Sequence, residues 1–245
     1  VTNYGENTLV RGLTFLAEKQ AAIANNLANV DTTSFKRRAP IATTERGFRS
    51  MLDRELSTVG YQEQADMQRG TIRETGNLYD VALDGPQWLH VQDKNGKNYY
   101  TRNGQLQLSI DGSLVTRGGL AVLDAADHPI AIGTGEDVPS ELRISPNGTL
   151  SNPATGQTWG PVALAVFPDA GSLTPVGKSL YVDPKNQRTT QAADGVQQGF
   201  LEGSNVDSVQ ELVQMITVER SFTATQKVLS GLGRLQENLV TNMLK

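Results

Sequence analysis

The sequence predicts an α+β protein, with long N- and C-terminal helices paired as a coiled coil and a central antiparallel β-rich domain. Three observations predict it. Apolar residues recur at heptad spacing at both ends, Asn-Gly and Asp-Gly turn dipeptides crowd the middle, and no proline interrupts residues 185–245.

In the N-terminal element, Leu9, Leu13, Leu16, Gln20, Ile23, Leu27 and Val30 follow one another in steps of four and three, a heptad seam with one polar member. Asn7 or Thr8 can cap its start, and Asp31-Thr32-Thr33 supplies a stop. The same spacing also suits an ordinary amphipathic helix packed on its own domain. Residues 39–75 read as an extended arm with a short helix over residues 51–59, feeding Thr71-Ile72-Arg73.

The middle, residues 76–196, switches to period two. Asn95-Gly96, Asn103-Gly104, Asp111-Gly112 and Asn147-Gly148 sit between alternating runs such as Trp88-Leu89-His90-Val91 and Leu106-Gln107-Leu108. Those dipeptides supply the positive φ that tight hairpin turns require, so this segment is expected to be an antiparallel β domain. The final element, residues 197–245, opens on Gly203-Ser204-Asn205 as turn and N-cap. Asp207 and Glu211 sit near the positive end of the helix. Its apolar positions are Val206, Val209, Leu212, Val213 and Ile216. A phase shift near Arg220 is followed by Val228, Leu232, Leu235, Leu239 and Met243. A helix of that length needs a partner for its stripe, and the helix at the other end, residues 1–38, is the obvious one.

Composition narrows the function. The 245 residues are 38% hydrophobic and only 6% aromatic, lean for a compact enzyme core of this length. A net charge of −4 provides no field for nucleic acid or anionic lipid. The one basic run, Lys36-Arg37-Arg38, reads as a solvated loop. Without cysteine there is no disulfide, zinc thiolate or thiol chemistry. No segment approaches the roughly 20 apolar residues of a bilayer span, and the first residues lack the pattern of a cleavable secretory signal.

Motifs for chemistry are missing in turn. His90 and His128 belong to no metal-spaced set and read as structural or surface residues. Gly171 to Ser179 imitates a phosphate loop, but it has one residue too many between its glycines and is followed by a strand pattern instead of a helix. Asp93-Lys94-Asn95-Gly96 begins like a calcium loop, yet its glycine comes two positions early. Asn147-Gly148-Thr149 has the form of a glycosylation acceptor that a turn already explains. No catalytic, cofactor or metal residue is assigned.

Four blocks carry a resemblance. Asn25-Asn26-Leu27-Ala28-Asn29 continues through Val30 to Lys36. Gly70 to Gly76-Asn77 leads into Asp80 to Gly85. Tyr100 to Gly104 is followed by Gly112 to Thr116, and Gly199 to Gly203-Ser204-Asn205-Val206-Asp207 by Glu211 to Ile216. In this order they resemble the flagellar basal-body rod family of rod and hook axial proteins, most like its proximal rod type and next its distal type. That resemblance implies a structural subunit of the bacterial flagellar basal-body rod, in the periplasm. It would polymerise helically through the terminal helices and transmit motor torque to the hook and filament. Copies of itself and other rod proteins are the implied partners. The flagellar type III export apparatus would pass the chain without a cleaved signal peptide. The subunit-packing residues are expected at Leu9, Leu13, Leu16, Ile23, Leu27, Val30, Val209, Leu212, Ile216, Val228, Leu232, Leu235 and Leu239. Two departures stand out: the family usually has glycine where this chain has Ser34, and glycine with aromatics where it has Pro86-Gln87-Trp88. A β-rich carbohydrate-active enzyme would instead need convergent carboxylates in the central domain. A transient rod-assembly factor would lack a hairpin-rich middle flanked by both terminal signatures, which this chain has.

Overall fold

The computed structural model describes residues 2–43, 60–134, 138–139, 141–190 and 195–243. They form two compact units. The short helix expected over residues 51–59 lies outside the described residues.

The first unit gathers residues 1–30, 37–66 and 206–245. Helix α1 (Thr2–Ala28) and helix α2 (Ser208–Met243) pack against each other, and α1 also packs on β1 (Arg38–Thr43). Strand β1 pairs antiparallel with β2 (Gly60–Ala65), from Arg38 opposite Ala65 to Thr43 opposite Gly60. At about 1.5 Å per residue the two helices are roughly 40 and 54 Å long. Because α1 begins at Thr2, neither Asn7 nor Thr8 caps it. It ends where Asn29 turns its side-chain amide back onto the Asn25 carbonyl at 2.8 Å, a group that has lost its helical donor.

Helix α2 is capped by Asp207, not by Gly203-Ser204-Asn205. The Asp207 carboxylate accepts from the backbone N–H groups of Val209 (2.9 Å) and Gln210 (3.1 Å). Along α2, Thr217, Ser221 and Thr225 each donate their hydroxyl to the carbonyl four residues back, at 2.8 to 2.9 Å. Among the described residues, no helix is long and apolar enough to cross a membrane.

The second unit holds residues 31–36 and 67–205. Its strands are β3 (Ile72–Glu74), β4 (Val81–Leu83), β5 (Trp88–Gln92), β6 (Asn98–Thr101), β7 (Leu106–Leu108), β8 (Leu114–Thr116) and β9 (Ala121–Val122). There follow β10 (Arg143–Ile144), β11 (Thr149–Ser151), β12 (Thr158–Pro161), β13 (Leu164–Val166), β14 (Thr174–Gly177) and β15 (Leu180–Val182). The last are β16 (Thr189–Thr190), β17 (Val196–Gln198) and β18 (Phe200–Glu202). The main sheet runs β14-β15-β6-β5-β9-β8-β7, with β13 joining β5 and β16 pairing with β13. A smaller sheet, β10-β11-β12, and two strand pairs, β17-β4 and β18-β3, complete the unit. Every pairing is antiparallel. The core lies here, around Leu83, Leu89, Val91, Leu114, Val122 and Leu150. The Gly171–Ser179 stretch is a short 3-10 turn leading to a strand, with no helix to present amides to phosphate.

The hairpin turns differ in detail from the tight two-residue form. Gly96, Gly112 and Gly148 take positive φ (76 to 80°), but Asn95, Asp111 and Asn147 do not. In each, the glycine N–H bonds the carbonyl three residues back, and the strands rejoin one residue later. This is a type I turn followed by a left-handed residue. Asn103-Gly104 is not a turn. Gly104 is glycine because a Cβ there would lie 1.8 Å from the Val81 carbonyl oxygen, on a backbone that accepts from the Val81 N–H.

Candidate functional site

In the helical unit, α1 places Leu9, Leu13, Leu16 and Leu27 in half-buried positions and Ile23 in a buried one, and Val30, in the turn beyond its end, is half-buried. The opposing helix behaves differently. Val209, Leu212, Val213, Ile216, Val228 and Leu235 are between 51% and 68% exposed. Among the described residues of α2, Glu211, Met215, Val218, Phe222, Thr225, Leu229 and Leu232 are covered within the chain in steps of four and three, with Gln214 half-buried beside them. So α2 has two stripes, and the apolar one singled out from sequence is the outer one, except for Leu232. The Leu239 side chain lies outside the described residues. The inner stripe is hidden from a hydropathy reading because Glu211 and Thr225 interrupt it.

Glu211 is inside for a reason that the asparagine-rich signature supplies. Asn26, fully buried, donates to the Arg38 carbonyl (2.8 Å) and accepts the Arg38 N–H (2.9 Å), so its amide completes the backbone bonding at the start of β1. The same amide donates to Glu211 at 3.2 Å, and Arg37 Nε donates to the other Glu211 oxygen at 2.5 Å. A buried polar junction of this kind favours one register over its neighbours, since a slipped pairing would strand a charge. Asn25 and Ala28 are exposed and Asn29 is half-buried.

The β unit has its own ionic centre. Lys36 Nζ donates to Glu202 (2.7 Å) and to the Gln68 carbonyl (2.6 Å). Arg102 Nε donates to the second Glu202 oxygen at 2.6 Å. Its remaining nitrogens reach the carbonyls of Leu83, Gly85 and Gln87, each at 2.7 Å. All three side chains are buried. Burial alone would push the Glu202 carboxyl up, but the Arg102 and Lys36 cations outweigh it and hold it below the usual carboxylate range. Lys36 and Arg37, read as solvated, are therefore structural. Sequence could not show this, because Glu202 lies 166 residues from Lys36.

The other signature residues are structural too. Gly76 takes a φ of 69°, and Asn77 donates to Asp80 at 3.2 Å while accepting from the Tyr79 N–H. Gly203 donates to the Thr71 carbonyl at 2.8 Å, and a Cβ on Gly70 would lie 2.1 Å from the Gly203 carbonyl oxygen. Asn205 donates its amide to Gln68 at 3.0 Å, and Ser204 is half-buried. Ser34 has φ 54°, which accounts for the glycine expected there. Its hydroxyl donates to the Arg102 carbonyl at 2.7 Å and its N–H to the Glu202 carbonyl at 2.8 Å, bonds that offset the strain.

Among the described residues, no group of three or more His, Asp or Glu is placed to hold a metal ion. An open cavity of about 400 Å³ in the β unit is lined by Met67, Pro86, Trp88, Arg102 and Phe167 among others. The donors of Arg102 there are engaged by protein oxygens.

Three family models match the chain in order. Residues 7–36 match "Flagella basal body rod protein", residues 82–152 "Flagellar hook protein FlgE/F/G D1 domain", and residues 197–242 "Flagellar basal body rod FlgEFG protein C-terminal". The flagellar basal-body rod protein FlgF of Escherichia coli is 30% identical over 242 residues, covering 87% of this chain and 87% of the relative. FlgF of Caulobacter vibrioides is 28% identical and spans 98% of this chain and 99% of its own. The flagellar basal-body rod protein FlgG of Agrobacterium fabrum is 29% identical, covering 85% and 87%. With identity of this order across nearly whole chains, this protein belongs to the flagellar basal-body rod protein family, whose members are structural proteins and not enzymes.

Proposed function

We propose that this chain polymerises helically through its terminal helices as a subunit of the bacterial flagellar basal-body rod, and that the polymer passes motor torque to the hook and filament. The observation that supports this reading is the outer stripe of α2, where Val209, Leu212, Val213, Ile216, Val228 and Leu235 stay more than half exposed. Full burial of such a side chain contributes about 1.5–3 kcal/mol, so covering what remains of these six would add on the order of 5–10 kcal/mol. Association costs about 4–15 kcal/mol in lost freedom. One contact of this size is marginal, whereas several per subunit in a polymer are not. The partners in this reading are copies of the chain and other rod proteins. The flagellar type III export apparatus delivers it to the periplasmic rod without a cleaved signal peptide.

The test is Leu212→Asp combined with Ile216→Asp. Both side chains are exposed in the single chain, so helicity and the melting of the β unit should be unchanged. Swimming, and recovery of the subunit in purified basal bodies, should be lost. Asn95→Asp, at a hairpin turn, should assemble and swim as the parent does. Normal motility of the double variant would rule out this stripe as the polymerisation surface.

A further inference from the structure

Five hairpin turns of the β unit share the geometry described above, closing at Asp93, Ser109, Thr116, Asp124 and Ser145. Four place glycine in the left-handed position: Gly96, Gly112, Gly119 and Gly148. The fifth places Asp127 there, with φ 63°. An L-residue held in that conformation stores strain, so its side chain is a candidate for a task that glycine cannot perform.

The Asp127 carboxylate meets two cationic or potentially cationic groups. Arg188 Nη2 donates to its Oδ2 at 2.8 Å and Nη1 to its Oδ1 at 3.1 Å. The buried His90 on β5 brings Nδ1 to within 3.0 Å of Oδ1, and the same Nδ1 lies 2.7 Å from Arg188 Nη1. With the imidazole neutral and its proton on Nε2, Nδ1 accepts from Arg188 Nη1, Asp127 is held by Arg188 alone, and the Nδ1–Oδ1 contact brings two acceptors together without a bond. A proton on Nδ1 turns that acceptor into a donor. Imidazolium and guanidinium then face each other and compete for one carboxylate.

Arg188 anchors the segment leading into β16. Its backbone N–H, and those of Lys185 and Gln187, donate to the Asp183 carboxylate at 2.5 to 3.0 Å. The other groups around the imidazole are few. Tyr100 on β6 stacks on it, centroids 5.2 Å apart, and also interacts with Arg188 and Asp183. Asn98 bonds the imidazole from the same strand. The strand β13 side offers the Ala163 carbonyl and the β9 side the Leu123 N–H, both to the His90 backbone. His128, next in the turn, is exposed beside Asp124.

We propose that His90, Asp127 and Arg188 form a proton-operated clasp, closed while His90 is neutral, that releases Arg188 and frees residues 183–190 when His90 is protonated. Burial first, and then the Arg188 charge, holds His90 below its ordinary value of 6.5 against the pull of Asp127. A lowered value in the folded state means that the stabilisation is complete above 6.5 and is lost as pH falls through the folded value. Asp127 stays ionised in this range, because the Arg188 hydrogen bonds hold its carboxyl below the ordinary value.

The chain has no cysteine, so Gln187→Cys carries a single nitroxide on the full-length protein. Between pH 7.5 and 5 the spectrum should gain a mobile component, with a midpoint below 6.5. His90→Gln should abolish that transition and His128→Gln should keep it. Asp127→Asn, which tolerates the left-handed turn without the charge, should leave the label mobile throughout. Should His90→Gln misfold, the imidazole resonance of His90 in Arg188→Gln provides a separate measurement, and its midpoint should rise relative to the parent. An unchanged spectrum in the parent, a transition that persists in His90→Gln, or an unmoved midpoint in Arg188→Gln would each overturn the clasp.

Discussion

The two units solve the problem of cohesion in opposite ways. In the β unit, Leu83, Leu89, Val91, Leu114, Val122 and Leu150 are almost fully covered, and an ion triad is buried with them. Among the described residues of the helical unit, the fully covered positions are few, and two of them, Asn26 and Glu211, are polar. Six large apolar side chains of α2 meanwhile remain outside. Charge divides the same way. Residues 31–36 and 67–205 carry eleven basic and fifteen acidic residues, against eleven and eleven in the rest, so the whole net charge of −4 falls on the β unit. In the proposed polymer, a neutral unit would stack on its like without accumulating repulsion. One unit covers its large apolar residues within a single chain, and the other leaves a stripe of them exposed.

That contrast can be broken most severely at Glu202. Glu202→Gln leaves Lys36 and Arg102 buried with no counter-charge, a loss of about 3–5 kcal/mol. At roughly 2–4 °C per kcal/mol, the β unit should melt on the order of 10 °C lower. Calorimetry on the full chain checks this, and a shift under 2 °C would mean that the triad is not central. The pH dependence follows with its sign. The Glu202 value is lowered in the folded state, so its stabilisation is complete above its ordinary 4.5 and fades as pH falls through the folded value. The variant should lack that share of the acid-induced loss.

A smaller effect is expected from Asn26→Ala. It removes the Asn26 amide from the Arg38 N–H and carbonyl and leaves Glu211 without one donor, at about 1–3 kcal/mol. Hydrogen exchange should quicken across α1 and β1 while the β unit keeps its melting temperature. Exchange unchanged in α1 would argue that helix packing alone sets the register. The mildest is Asp207→Ala, which removes the cap of α2 and should cost about 1 kcal/mol. Faster exchange should be confined to the first turn of α2.

The architecture was largely legible, because it rests on local signals. The α1 seam and the glycines of the hairpins announce themselves through spacing and through the φ that only glycine takes easily. What escaped was non-local. The inner stripe of α2 is polar at Glu211 and Thr225, so hydropathy selected the outer stripe instead. Lys36 looks like any solvated lysine until Glu202 folds against it. Ser34 stands between the two cases, since its left-handed φ fits the missing glycine, but its hydrogen bonds to the segments around Arg102 and Glu202 do not show in the chain.

The hydroxyl ladder of Thr217, Ser221 and Thr225 has a consequence for what that flank of α2 can touch. Threonine and serine ordinarily resist dehydration, because a covered hydroxyl needs a partner. Here every hydroxyl proton already rests on a carbonyl of its own helix. Water can leave this surface without stranding a donor, and the methyl of the exposed Thr217 remains to meet whatever approaches. A flank that is polar by composition therefore holds no unpartnered hydroxyl proton, which lowers the cost of covering it.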